Sequence, residues 1–142
     1  MQNGRNGARG LVDKLKEDAI RYFKNGMQRI SETARENGEY ADAKPIQEGA
    51  GVIYLGVLKA LDALALTRGY SKNNLPKNDD QYRELLAKHP VHNGKLMKAF
   101  DDVYSYIHLG IYYREKKRVT YVKEGIDAAR YVIEKLTGKR IN

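Results

Sequence analysis

The stretch Gly49–Leu66, GAGVIYLGVLKALDALAL, decides how the rest of the chain is read. Val52, Ile53, Tyr54, Leu55, Val57, Leu58, Leu61, Leu64 and Leu66 cover most of the circumference of a helix. A helix apolar nearly all round is one surrounded by neighbours, so this is expected to be the most buried element. Lys59 and Asp62 interrupt it, and each would cost roughly 2.5–3.5 kcal/mol at a bilayer centre. The expectation is therefore a core helix of a soluble protein over residues 43–68, and no membrane partner. Asp42 can cap its start, Pro45 falls in the first turn where a missing N–H does no harm, and Arg68-Gly69 closes it.

The flanking segments show the same period. Over 11–36, Val12, Leu15, Ala19, Tyr22, Phe23, Met27, Ile30 and Ala34 form one stripe. Asp13, Glu17 and Asp18 suit the positive end of that helix, and Asn37-Gly38 is expected to stop it. Asn78-Asp79-Asp80-Gln81 resembles a capping box and predicts a short helix over 79–88, ending before Pro90. Leu96, Phe100, Val103, Ile107, Gly110 and Ile111 predict a helix over 94–115. Val119, Val122, Ile126, Ala129, Ile133 and Leu136 predict another over 119–137, closed by Gly138. Only a charge run and Thr120, as a cap, mark the break between these two. No strand-like alternation is visible. The expected fold is all-α: an antiparallel up-and-down four-helix bundle with a short extra helix between helices two and three. It would occupy 11–138, between a disordered tail at 1–10 and a C-terminal tail at 139–142. Gly26, Gly49, Gly51, Gly56, Gly110 and Gly125 lie inside helices, where each costs about 1 kcal/mol relative to alanine, and are expected to mark close helix–helix approach.

The 142 residues fit one domain, and 0 Cys excludes disulfides, thiolate metal sites and cysteine nucleophiles. The opening MQNGRNGARG has Arg5 and Arg9 but no apolar run after them, so no secretory signal is expected and the cytoplasm is the expected compartment. A formal net charge of +8 favours nucleic acid or an acidic protein as partner. The dense basic run is Arg114, Glu115, Lys116, Lys117 and Arg118, beside Tyr112, Tyr113 and Tyr121. Cations mixed with aromatics suit single-stranded nucleic acid, so Arg114, Lys116, Lys117 and Arg118 are the candidate contacts. Tyr104, His108 and Tyr112 recur every fourth residue on one helix, and Tyr54 and Asp62 lie on the apolar one. Tyr54, Asp62, Tyr104 and His108 form a candidate buried polar cluster, either a hydrogen-bond network that fixes register or a His–carboxylate pair able to move protons. No nucleophile completes a catalytic set, and no glycine-rich phosphate loop occurs. His89-Pro90-Val91-His92 is too small a donor set for a metal. No metal or cofactor is expected.

RYFKN (Arg21–Asn25), GVLKALDAL (Gly56–Leu64), YSYIHLGIYY (Tyr104–Tyr113) and VKEGIDAARYVIE (Val122–Glu134) resemble a bacterial family of small proteins of unknown function, itself similar to HEPN-type helical bundles. The resemblance implies an up-and-down four-helix bundle and self-association. HEPN-type ribonucleases carry an Arg, four to six residues, then a His near the last helix. Here 119–137 holds no His, and the one matching spacing, Arg83 to His89, falls on the short linker helix. The departure favours the non-catalytic members. The expected function is thus a non-catalytic, homo-oligomeric interaction module. Two alternatives are an RNA-binding protein or ribonuclease of the toxin–antitoxin kind, and a small-molecule site in the bundle core.

Overall fold

A computed structural model of the chain describes residues 2–88 and 93–142. Helix α1 spans Gln2–Ser31. It is followed by β1, Arg35–Glu36, and β2, Glu39–Tyr40. Helix α2 spans Ala43–Thr67, a short 3₁₀ turn Lys72–Asn74, α3 Asp79–Ala87, and α4 Asn93–Asp102. Helix α4 continues as a π-helical segment, Val103–Tyr113, and α5 spans Val119–Thr137. The described chain is thus mostly helical, with five helices and a very small sheet.

Local chemistry sets most boundaries. The Asp42 carboxylate accepts from the Lys44 N–H at 3.1 Å and caps α2. Asn78 accepts from the Gln81 N–H at 2.9 Å, while Gln81 accepts from the Lys77 N–H at 2.7 Å, a reciprocal cap for α3. Gly138 ends α5 in the left-handed conformation.

Both ends of α1 differ from expectation, and the last helix starts at Val119 as expected but for another reason. Helix α1 starts at Gln2, inside the segment expected to be a tail: Gly4, Gly7 and Gly10 weaken a helix but, unlike proline, remove none of its N–H donors. It ends at Ser31, and Asn37-Gly38 instead forms a two-residue hairpin turn with φ of 54° and 79°. Positive φ at both residues is the type I′ geometry that joins twisted antiparallel strands. The chain at 117–119 then pairs with this hairpin: the Tyr40 N–H donates to the Lys117 carbonyl at 2.9 Å, and the Val119 N–H to Gly38 at 3.0 Å. That pairing, and not a Thr120 cap, separates the last two helices; Arg118 holds the cap position and makes no side-chain cap bond. Glu115 turns the chain there with φ of 58°. A left-handed conformation costs an L-residue about 1–2 kcal/mol. Glu115→Gly is therefore expected to stabilise the protein by about 1 kcal/mol, raising its melting temperature by about 2–4 °C in a thermal melt.

The core runs along α2. Gly26 of α1 faces Gly49, and Ala19 faces Gly56, so α1 and α2 run antiparallel at close quarters. Gly51 faces Tyr112 and Tyr54 stacks on His108, so α2 and the π segment are antiparallel too. Ile53, Val57, Ala60 and Leu61 are fully buried. The opposite side of α2 is open: Leu55 keeps 50% of its surface. By length and composition α2 could cross a membrane, with a mean hydropathy of 1.6 over 18 residues, yet half of that window is buried. It is not enclosed as its composition suggested, because α1, the π segment and α5 together cover only part of its circumference. The C-terminal residues also pack: Ile141 is 6% exposed, its carbonyl accepting from Arg130 at 2.6 Å and its N–H donating to Glu134 at 2.7 Å.

Candidate functional site

The aromatic row on the π segment starts from its hydrogen bonding. Bonds from residue i to i+5 take more than four residues into each turn. Positions 104, 108 and 112 therefore fall somewhat short of a full turn apart, where in an α-helix each would lie about 40° past one. The rings follow one another: Tyr104 to His108 at 5.4 Å, and His108 to Tyr112 at 6.1 Å. Tyr54 of α2 stacks on His108 at 4.5 Å with the planes 18° apart. Burial pushes the Tyr54 phenol up to about 12, helped by Tyr104 and Asp79 and opposed by Arg83. At neutral pH this phenol keeps its proton and serves packing better than proton transfer.

Asp62 lies elsewhere. Its carboxylate accepts from the Tyr82 hydroxyl of α3 at 2.9 Å. Three residues of the expected cluster (Tyr54, Tyr104, His108) thus form a ring stack, while the fourth, Asp62, pairs with Tyr82 instead. Burial raises the Asp62 carboxyl, with the Tyr82 bond and Lys59 acting in the other direction. An acid whose folded pKa lies above its unfolded value binds more protons when folded. Its contribution is present below the unfolded pKa and is lost as pH rises through the folded one. Asp62→Asn keeps an acceptor for Tyr82 and removes the half-buried charge. Its expected effect is a protein at least as stable as the parent at pH 7, with a flatter stability profile across the acid range, read from urea melts at several pH values.

Arg83 of α3, which sequence spacing linked to His89, serves another purpose. It donates to Asp101 at 2.8 Å and to Asp79, and its guanidinium covers the Phe100 and Tyr104 rings at 5.6 and 5.2 Å. This clasp ties α3 to α4 and the π segment. His89 and the whole His89-Pro90-Val91-His92 stretch lie outside the described residues. Among the described residues, no three His, Asp or Glu side chains converge as metal ligands.

The basic turn is partly tied down. Lys117 lies 3.8 Å from Glu39 and donates to the Tyr40 carbonyl at 3.4 Å, and Lys116 sits over the Tyr121 ring at 5.7 Å. Arg114 and Arg118 are exposed. A second basic group escaped sequence reasoning, because it joins opposite ends of the chain: Arg21 and Lys24 of α1 line a cleft of about 490 Å³ with Lys139 and Arg140.

The open side of α2 continues onto the π segment. A groove of about 520 Å³ runs between Gly51, Val52, Leu55, His108 and Tyr112. Among the described residues, Leu55, Leu109, Tyr112 and Tyr113 are the large apolar side chains left exposed, at 50%, 36%, 48% and 72%. Two other tyrosines are less open. Tyr22 is half-buried beneath Arg21 and Lys59, and Tyr131 is half-buried with its hydroxyl shut in and unbonded.

A family model described as a domain of unknown function, DUF5618, matches residues 14–138. The chain belongs to this family. All four stretches that carried the resemblance lie inside the match. Among solved structures the chain is similar to a protein of unknown function from Dyadobacter fermentans. The two share 26% identity and a TM-score of 0.76, over 89% of this DUF5618 chain and 97% of the other. No curated protein matches it.

Proposed function

We propose that this DUF5618 protein is a non-catalytic helical-bundle module that works by self-association, through the open face of α2 and the π segment. The observation that carries the reading is α2 itself: a helix of hydropathy fit for complete burial that is half covered within its own chain. Large apolar side chains grouped on one face mark an interaction surface, and tyrosine is common at such surfaces. Leu55, Leu109, Tyr112 and Tyr113 supply both the apolar area and the aromatic share. The neighbouring polar groups are committed to structure: a neutral phenol at Tyr54, an acid bonded to Tyr82, and an arginine bound by Asp79 and Asp101. Light scattering coupled to size exclusion tests the reading. The expected result is a mass of a multiple of 16.2 kDa that falls to 16.2 kDa in Leu55→Glu. A parent that stays at 16.2 kDa up to high concentration removes it.

A second reading, RNA binding of the HEPN kind, is favoured by the cleft between Arg21, Lys24, Lys139 and Arg140. Phosphate contacts release counterions, so binding of a short labelled RNA would weaken with log salt at a slope of about 0.7 per contact. Lys24→Glu and Arg140→Glu would lower that slope. Absence of binding at low salt removes this reading.

A further inference from the structure

The outward stripe of α2 carries its charges in a self-complementary order. On a helix of 3.6 residues per turn, Lys44, Glu48, Leu55, Lys59 and Asp62 fall within about 40° of one line. Gly51 and Val52 lie beside them. Along that line the signs run plus, minus, apolar, plus, minus. Turned end for end about a point between Val52 and Leu55, the stripe meets itself with Lys44 opposite Asp62, Glu48 opposite Lys59, and Val52 opposite Leu55. A parallel pairing would set every charge against its own sign.

We infer that the occupant of the open α2 face is a second copy of this chain, packed antiparallel in that register about a two-fold axis. The inference rests on the self-association proposed above and adds its geometry. A two-fold axis makes each contact occur twice, so both charge pairs are duplicated. It also lays each π segment along its counterpart, which covers Leu109 and Tyr112.

The charged groups are held ready. Glu48 accepts both Arg29 nitrogens on one oxygen, Oε1, at 3.3 and 2.7 Å. Asp62 accepts from Tyr82 on Oδ1 at 2.9 Å. Among the described residues each carboxylate thus keeps its other oxygen for a partner's lysine. Lys59 is steadied over the Tyr22 ring at 5.0 Å. Groups already ordered lose less freedom when they dock. Charge pairs at the edge of an interface set register and reject wrong pairings, while apolar contacts supply most of the affinity.

The test is a charge swap followed by sedimentation velocity over a range of concentrations. Glu48→Lys alone, and Lys59→Glu alone, each put like charges face to face twice. Each is expected to weaken the dimer by about tenfold or more. The double variant Glu48→Lys/Lys59→Glu restores opposite signs and is expected to return to near the parent's affinity. That rescue also shows that the single variants had not simply unfolded. If Leu55→Glu gives monomer while the swaps change nothing, self-association stands and this register is overturned. If the parent is monomeric throughout, both fall. If the parent floats with phosphatidylcholine vesicles as a monomer, lipid is the occupant and the inference is overturned.

Discussion

Gly26→Ala is expected to destabilise the protein by about 2 kcal/mol, lowering its melting temperature by about 4–8 °C in a circular dichroism melt. A Cβ at Gly26 would stand 2.5 Å from the Gly49 carbonyl oxygen and 2.5 Å from Ile53 Cγ1. The reverse holds from α2, where a Cβ at Gly49 would meet the Gly26 carbonyl at 2.7 Å. A carbonyl oxygen has no rotamer to escape into, so relief requires the two helices to move apart along a buried seam that includes Ile30 and Ile53. Overpacking costs about 1–3 kcal/mol, and two contacts at 2.5 Å, one of them to backbone, place this site at about 3. Alanine's better helix propensity returns about 1 kcal/mol. Gly10→Ala isolates the propensity effect, since a Cβ there meets nothing within 4 Å. The two variants should move the melt in opposite directions, or leave Gly10→Ala unchanged. A Gly26→Ala protein that melts at or above the parent would mean that α1 and α2 do not approach this closely.

What the sequence made legible was the local chemistry. Asp42 and Asn78 cap the helices they were expected to cap, and Gly138 closes α5, because each acts on residues within four positions of itself. Asn37-Gly38 misled because the pair suits both a helix stop and a type I′ turn. What decides between them is pairing with Lys117 and Val119, about 80 positions away along the chain. The π segment was hidden for a similar reason: apolar residues at 103, 107, 110 and 111 satisfy α and π spacing alike. The ring row of Tyr104, His108 and Tyr112 was visible in its four-residue step. The partner of Asp62 was not, since Tyr82 reaches it from a short helix whose path no pattern announces. Composition showed that α2 needs cover on nearly every side. It could not show that the chain has too few helices to supply that cover.

Phe23→Ala is expected to be the most damaging change, costing about 3–5 kcal/mol. The ring is 1% exposed and belongs to the core that α1 shares with α2. Domain stabilities lie at about 5–15 kcal/mol, so this one substitution consumes a large part of the margin. The damage should also reach the C-terminus. Arg130 lies over the Phe23 ring at 5.0 Å while donating to the Ile141 carbonyl at 2.6 Å. The ring therefore supports the guanidinium that holds the last residues down. Ile141→Ala alone should cost about 2 kcal/mol or more, as expected for a buried isoleucine. Because Arg130 serves both sites, the two losses should not add. The milder Phe23→Leu, which keeps an apolar side chain in place, makes the cycle measurable. Urea melts of Phe23→Leu, Ile141→Ala and the double variant are expected to show a coupling of about 0.5 kcal/mol or more. Strict additivity would show that the C-terminal residues dock independently of α1.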